Sequence, residues 1–192
     1  AWDGVNAVEQ DLEKEDSLGE STSNTKEWKL DIIDGYKQDI EKEIVEICES
    51  VLVVLEDHLM PNSSFEDAKI FYHNLRGDCY RYVGECDIGQ ETRNMNSEAA
   101  LQAYQAAVDG ATRHLPPTHP GRLNSACKLA TFYARYLSDP TRACKLAQQA
   151  LDNATQSPEK RQGKLSEDIT QLLQRLRDDI EVWSEMTTAT NK

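Results

Sequence analysis

The residues that could act together chemically concentrate in one stretch, Phe71–Cys86, which reads FYHNLRGDCYRYVGEC. It carries Arg76, Tyr80, Arg81 and Tyr82 in close succession. A guanidinium can fork onto two oxygens of a phosphate or carboxylate, and a neighbouring phenol adds one more donor. The chemistry on offer is recognition of an oxyanion rather than bond making. Ser63 and Glu66 have the S-x-x-E spacing of a capping box, which predicts a helix starting there. Gly89 predicts its end, after Ile88. Apolar residues at Ala68, Phe71, Leu75, Cys79, Tyr82 and Cys86 recur at helical spacing and predict one buried face. Arg76, Tyr80 and Arg81 then fall at or near the edge of that face, where they can meet a ligand.

Other chemistry finds little support. The sequence contains no P-loop, no G-x-S-x-G, no H-E-x-x-H and no dinucleotide fingerprint. His58, His73, His114 and His119 lack metal-ligand spacing with one another or with cysteine, and His119 reads as a structural turn residue. Cys79 and Cys86, seven apart on one helix face, read as core. No enzymatic activity, cofactor or metal is expected.

The elements that must position this stretch are helical, because no segment alternates with period two. Trp28, Ile32, Tyr36, Ile40, Ile44, Ile47, Val51, Leu55 and Leu59 predict an amphipathic helix over 27–59, stopped by Pro61. Asp39, Glu41, Lys42, Glu43 and Glu46 form its solvated side. Residues 1–16 read as a helix already under way, followed by a polar loop, Ser17–Lys26. Gln90–Asn96 reads as a second polar loop. Ala99, Ala100, Ala103, Ala106 and Ala107 mark a closely packed helix over Ser97–Arg113. Thr118 is expected to cap a helix over 119–137, and Asp139-Pro140 to start another. The last helix is expected over roughly 166–186, with a loose tail, Thr187–Lys192. The fold class is therefore all-α, an array of antiparallel helices. A helical-repeat solenoid is the second reading, but no fixed 34-residue repeat supports it.

The same segments resemble the 14-3-3 family in collinear order. Phe71–Glu85 is similar to that family's central FY…GDYYRY…E helix, and Pro117–Leu123 (PTHPGRL) to its PTHP-x-RL turn. Ala1-Trp2 with Val8-Glu9-Gln10, Ser138-Asp139-Pro140 with Ala143-Cys144, and Arg177-Asp178 leading to Trp183 are further matches. The resemblance implies a single 14-3-3-like domain over 1–192 that lacks the family's opening helices. It implies an adaptor in signal transduction that binds phosphorylated protein segments, with Arg81 and Tyr82 as the pair gripping phosphoserine or phosphothreonine. One further basic residue of the family's pocket falls in the missing region, and at another the chain has Asn74. The groove walls implied by the family carry Lys128, Thr131 and Arg135 on one helix, with Arg175, Asp179, Val182 and Trp183 on the last. Lys128 and Asp179 stand where the family has backbone-holding asparagines, Arg135 where it has an acid, and Arg175 where it has a leucine. These changes imply a more basic groove. The alternative is a scaffold or assembly protein that kept the fold and lost phosphate recognition. Tyr36 and Glu43 match positions at the family's dimer interface, so a homo- or heterodimer with another 14-3-3 subunit is implied.

Composition limits the partners. The chain has 192 residues and a formal net charge of −13, which argues against general nucleic-acid binding. No apolar run reaches transmembrane length and no signal peptide is visible, so no membrane insertion is expected. Five scattered cysteines without a C-x-x-C pair suggest a reducing, cytoplasmic compartment. There the glycosylation patterns at Asn62 and Asn153 would be idle.

Overall fold

The computed structural model describes residues 23–86, 89–158 and 166–190, and all regular structure among them is helical. Helix α1 spans Ser23–Val54 and continues through a π-helical segment, Leu55–Leu59, and a short turn, Met60–Asn62. Then follow α2 (Glu66–Glu85), α3 (Gln90–His114), α4 (Pro120–Arg135), α5 (Pro140–Thr155) and α6 (Glu167–Thr190). The chain divides into two compact units between Ser50 and Val51.

In the first unit, Trp28, Ile32, Tyr36 and Ile47 on α1 are exposed. The expected helix carrying Trp2, Val5 and Val8 lies outside the described residues. Of the expected loop Ser17–Lys26, the part from Ser23 onward is helical.

In the second unit each helix packs on its successor, and α4 also touches α2 and α6. Among the described residues, two clusters contribute to the core. One joins α4, α5 and α6 through Leu123, Cys127, Ala143, Ala147, Leu176 and Trp183. The other joins α3 and α4 through Ala100, Tyr104, Leu129 and Phe132. Small side chains let α3 approach its neighbours closely, since Ala100, Ala103, Ala107 and Ala111 are all buried. All five cysteines are free thiols, and four are buried.

Several local expectations are corrected. Ser63 does not cap α2: its hydroxyl donates to the Phe65 carbonyl at 3.3 Å, and Phe65 is the N-cap without a side-chain bond. Helix α2 ends at Glu85, with Cys86 in extended backbone. Gly89, at φ 84°, starts α3 at once, a conformation that suits glycine alone among common residues. The run Gln90–Asn96 is thus helix rather than loop. Its polar side chains bond along the helix, as Gln90 Nε2 does to Asn94 Oδ1 at 2.9 Å. His119, not Thr118, caps α4: its Nδ1 accepts from the Gly121 N–H at 3.1 Å. Asp139 caps α5 as expected, accepting from the Arg142 N–H at 2.9 Å. Helix α6 runs on to Thr190, through most of the expected loose tail.

The buried face of α2 is also rotated from the expected one. Ile70, Asn74, Gly77, Cys79 and Val83 are buried, whereas Phe71 is 60% and Tyr82 46% exposed. Two polar or side-chain-free positions hid this face from a hydrophobic reading. Asn74 Nδ2 donates to Ser125 Oγ at 2.7 Å, and that hydroxyl donates on to the Gly121 carbonyl at 2.8 Å. At Gly77 the Tyr104 ring lies where a side chain would begin: an added Cβ would sit 2.6 Å from Tyr104 Cε1.

Candidate functional site

The rotation of α2 sets its cleft-facing residues. With Gly77 against Tyr104, the next residues along the same side, Asp78 and Arg81, line a cleft of about 420 Å³ together with Tyr82. Helix α4 contributes Asn124, Lys128, Thr131 and Arg135 at spacings of three and four, and α6 contributes Arg175. Tyr136, just past α4, completes the wall beside Arg81.

Arg81 is held from several sides. Its Nη1 donates to Glu85 Oε1 and to the Tyr136 hydroxyl, the latter at 3.0 Å. Tyr136 in turn donates to the same Glu85 oxygen. The guanidinium carbon lies 4.0 Å from the Tyr82 ring centroid and 5.5 Å from that of Tyr136. Tyr136 stacks on Phe132, with 5.2 Å between ring centroids. Burial disfavours the Arg81 charge, but the Tyr104 hydrogen bond and the Glu85 carboxylate outweigh it and push the guanidinium pKa up. Burial, then the hydrogen bond to Glu85, pushes the Tyr136 phenol up as well. Arg81 is thus a fixed cation with an oriented plane, the geometry that forks onto an oxyanion.

Lys128 is tied down differently. Its ammonium pairs with Asp78, which also accepts from the Tyr104 hydroxyl at 2.7 Å. Burial, followed by the nearby Asp78 charge, pushes the Tyr104 phenol up, so it stays a donor. Cys127 beside them is pushed up to about 11 by burial, which keeps it a neutral thiol. Arg175 Nε lies 3.9 Å from Asp179 Oδ2, an oxygen that is buried and has no hydrogen-bond partner. Among the described residues Arg135 has no carboxylate within ion-pair distance.

Of the residues singled out from the sequence, the cleft brings together Arg81, Tyr82, Lys128, Thr131, Arg135 and Arg175. Asp179 is not among its lining residues but sits beside Arg175 and acts on the lining thiol of Cys127. Val182 is exposed, and Trp183 is buried in the α4–α5–α6 core. Arg76 and Tyr80 do not line it: both turn to Glu56, Arg76 Nε at 3.6 Å and the Tyr80 hydroxyl at 3.3 Å. Tyr36 and Glu43 are exposed in the first unit. Sequence reasoning missed Asp78, Glu85 and Tyr136. Glu85 was within reach, four residues after Arg81 on one helix. The pairing of Asp78 with Lys128 spans 50 positions, and that of Arg81 with Tyr136 spans 55. No local pattern carries those.

The described residues form an all-helical array in which a guanidinium–phenol pair lines one cleft, a geometry able to fork onto an oxyanion. The family model for 14-3-3 protein matches residues 4–184. The chain is 38% identical to the checkpoint signal transducer rad24 of Schizosaccharomyces pombe, over 96% of its own length and 64% of that protein. It is 38% identical to a 14-3-3 protein homolog of Candida albicans, over 98% of itself and 68% of that protein. It is 36% identical to the 14-3-3-like protein GF14 iota of Arabidopsis thaliana, over 96% and 65%. The chain belongs to the 14-3-3 family. It spans about two thirds of the length of these curated relatives. Among the described residues no helix is long and apolar enough to cross a membrane.

Proposed function

We propose that this chain is the recognition portion of an adaptor that binds protein segments phosphorylated on serine or threonine. The observation that carries the reading is Arg81, held rigid by Glu85 and Tyr136 beside the half-exposed Tyr82 ring. Arg81 forks onto the phosphate with the donors that Glu85 and Tyr136 leave free, and the Tyr82 hydroxyl adds a donor. No bond is made or broken, so the chain is an adaptor and not an enzyme. Lys128, Thr131, Arg135 and Arg175 line the path of the flanking peptide. Lys128 and Arg175 already face Asp78 and Asp179, so Arg135 is the cation most open to an acidic ligand residue. The groove therefore favours phosphopeptides with Asp or Glu near the phosphosite, and binding weakens as salt screens these exposed charges. The exposed Trp28, Ile32 and Tyr36 on α1, with Glu43, offer a surface for a second 14-3-3 subunit, and the complete protein works as a dimer in the cytoplasm.

A second reading has its own observation. Glu85 and Asp78 occupy Arg81 and Lys128, an arrangement also suited to a groove that no longer takes phosphate and serves assembly alone. Fluorescence anisotropy separates the two. A labelled phosphopeptide with acidic flanks is compared with its unphosphorylated twin and with a basic-flanked phosphopeptide. The adaptor reading expects binding only with phosphate, tightest with acidic flanks. Equal affinity of phosphorylated and plain peptide favours the assembly reading.

A further inference from the structure

Helix α4 has a second lined face, opposite the cleft. Arg122, Ala126, Leu129 and Tyr133 recur at spacings of three and four, out of phase with Asn124, Lys128, Thr131 and Arg135. At 100° per residue the two sets lie on opposite sides of the helix. The second set backs a cavity of about 530 Å³ between α3, α4 and α5. Its apolar lining is Val108, Leu129, Tyr133, Leu146 and Ala150, and its polar lining includes Arg113, Arg122, Arg142 and Lys145 against one carboxylate, Asp109. In a chain of net charge −13 this is a locally positive cavity, and the lining of a cavity sets its field.

Two of the four cations are committed elsewhere. Arg122 Nη1 donates to the Leu115 carbonyl at 2.9 Å and to that of Thr112 at 3.3 Å, fastening α4 to the end of α3. Arg142 Nε lies 3.1 Å from Asp139 Oδ2. The other two make no ion pair among the described residues, although the Arg113 charge is felt at Glu66. Arg113 gives only its Nε, to the Asp109 carbonyl at 3.2 Å. Among the described residues neither Arg113 nor Lys145 has a carboxylate within ion-pair distance.

We propose that this cavity is a second ligand site, for a small organic anion with a compact apolar body and a carboxylate, sulfonate or phosphate at one end. The body rests on Leu129, Tyr133 and Leu146, and the anion lies between Arg113 of α3 and Lys145 of α5. The volume is that of a small-molecule site, typically about 300–1,000 Å³, and the charge complementarity selects the anion. The site does not share a lining residue with the phosphate cleft, so the two ligands do not compete.

The test uses the whole chain and two related probes, anilinonaphthalene sulfonate and its uncharged analogue phenylnaphthylamine. Fluorescence titration is paired with methyl NMR of Val108, Leu129 and Leu146. The sulfonate is expected to bind and to shift these methyl signals, with the uncharged probe at least about tenfold weaker. Converting Arg113→Glu and Lys145→Glu together lowers sulfonate affinity by at least about tenfold, a loss of about 1.4 kcal/mol. Ala150→Phe, which fills the cavity from α5, has a similar effect without altering charge. Arg81→Ala leaves sulfonate binding unchanged. Circular dichroism confirms that each variant stays helical, and Lys145→Gln gives a milder loss if Lys145→Glu does not fold. Equal binding of the two probes overturns the proposal. So do the absence of binding and methyl shifts confined to the exposed apolar residues of α1.

Discussion

At the scale of single residues, the Arg81 cleft is a balance between cations and the carboxylates set against them. Glu85 orients Arg81, and in the proposed role it also opposes an incoming phosphate by like charge. Tyr136 accepts from the same Nη1 and donates to the same Glu85 oxygen, and glutamine keeps a carbonyl oxygen to accept there, so Arg81 keeps its orientation when Glu85 is neutralised. Glu85→Gln is therefore expected to raise phosphopeptide affinity several-fold, read by anisotropy; a fall in affinity would mean that orientation by the carboxylate outweighs its repulsion. His73 gives a second prediction. Its Nδ1 is buried without a hydrogen-bond partner, and burial, then the Arg76 charge, lowers its pKa. The unfolded imidazole protonates near its ordinary value of about 6.5, before the folded one does. Below that pH the unfolded state binds more protons, so stability falls with falling pH. His73→Leu should flatten the loss in urea midpoint between about pH 7 and about pH 5. An unchanged slope would show that His73 does not contribute. Residue types were legible here and partners were not: Arg81 and Tyr82 stood out by adjacency, whereas Asp78 meets Lys128 only once α2 and α4 are packed.

At the scale of elements, most helices could be read from periodicity and their junctions could not. Asp139-Pro140 announced α5 because a capping carboxylate and a proline without an N–H both act locally. Gln90–Asn96 misled because polar residues on every side satisfy one another along the helix, which leaves no apolar stripe to see. The register of α2 was missed because its contact with α3 is made by an absent side chain. The Tyr104 ring there is buried, packs on Phe132 with 5.4 Å between centroids, and is tethered by its hydroxyl to Asp78. It cannot swing aside for a methyl group. Gly77→Ala is expected to cost about 1–3 kcal/mol, despite alanine's better helix propensity, measured as a lowered urea midpoint. A neutral or stabilising result would mean that α2 and α3 separate freely.

At the scale of the whole molecule, the chain is strongly acidic while the Arg81 cleft and the cavity between α3, α4 and α5 are rich in cations. On the two proposals made above, that contrast draws anionic ligands to these two places. The all-helical class was legible throughout, because nothing in the sequence alternates with period two. The separation into two units at Ser50 and Val51 was not, because the apolar pattern of α1 runs through the boundary without a break. The central claim is that Arg81 holds a ligand's phosphate. Phosphorus NMR of a bound phosphopeptide reads that contact at the atom concerned. The expected result is a phosphorus resonance that shifts on adding the wild-type chain and does not shift with Arg81→Ala at equal concentration. A resonance that stays unshifted with the wild type, or that shifts equally with Arg81→Ala, would contradict it.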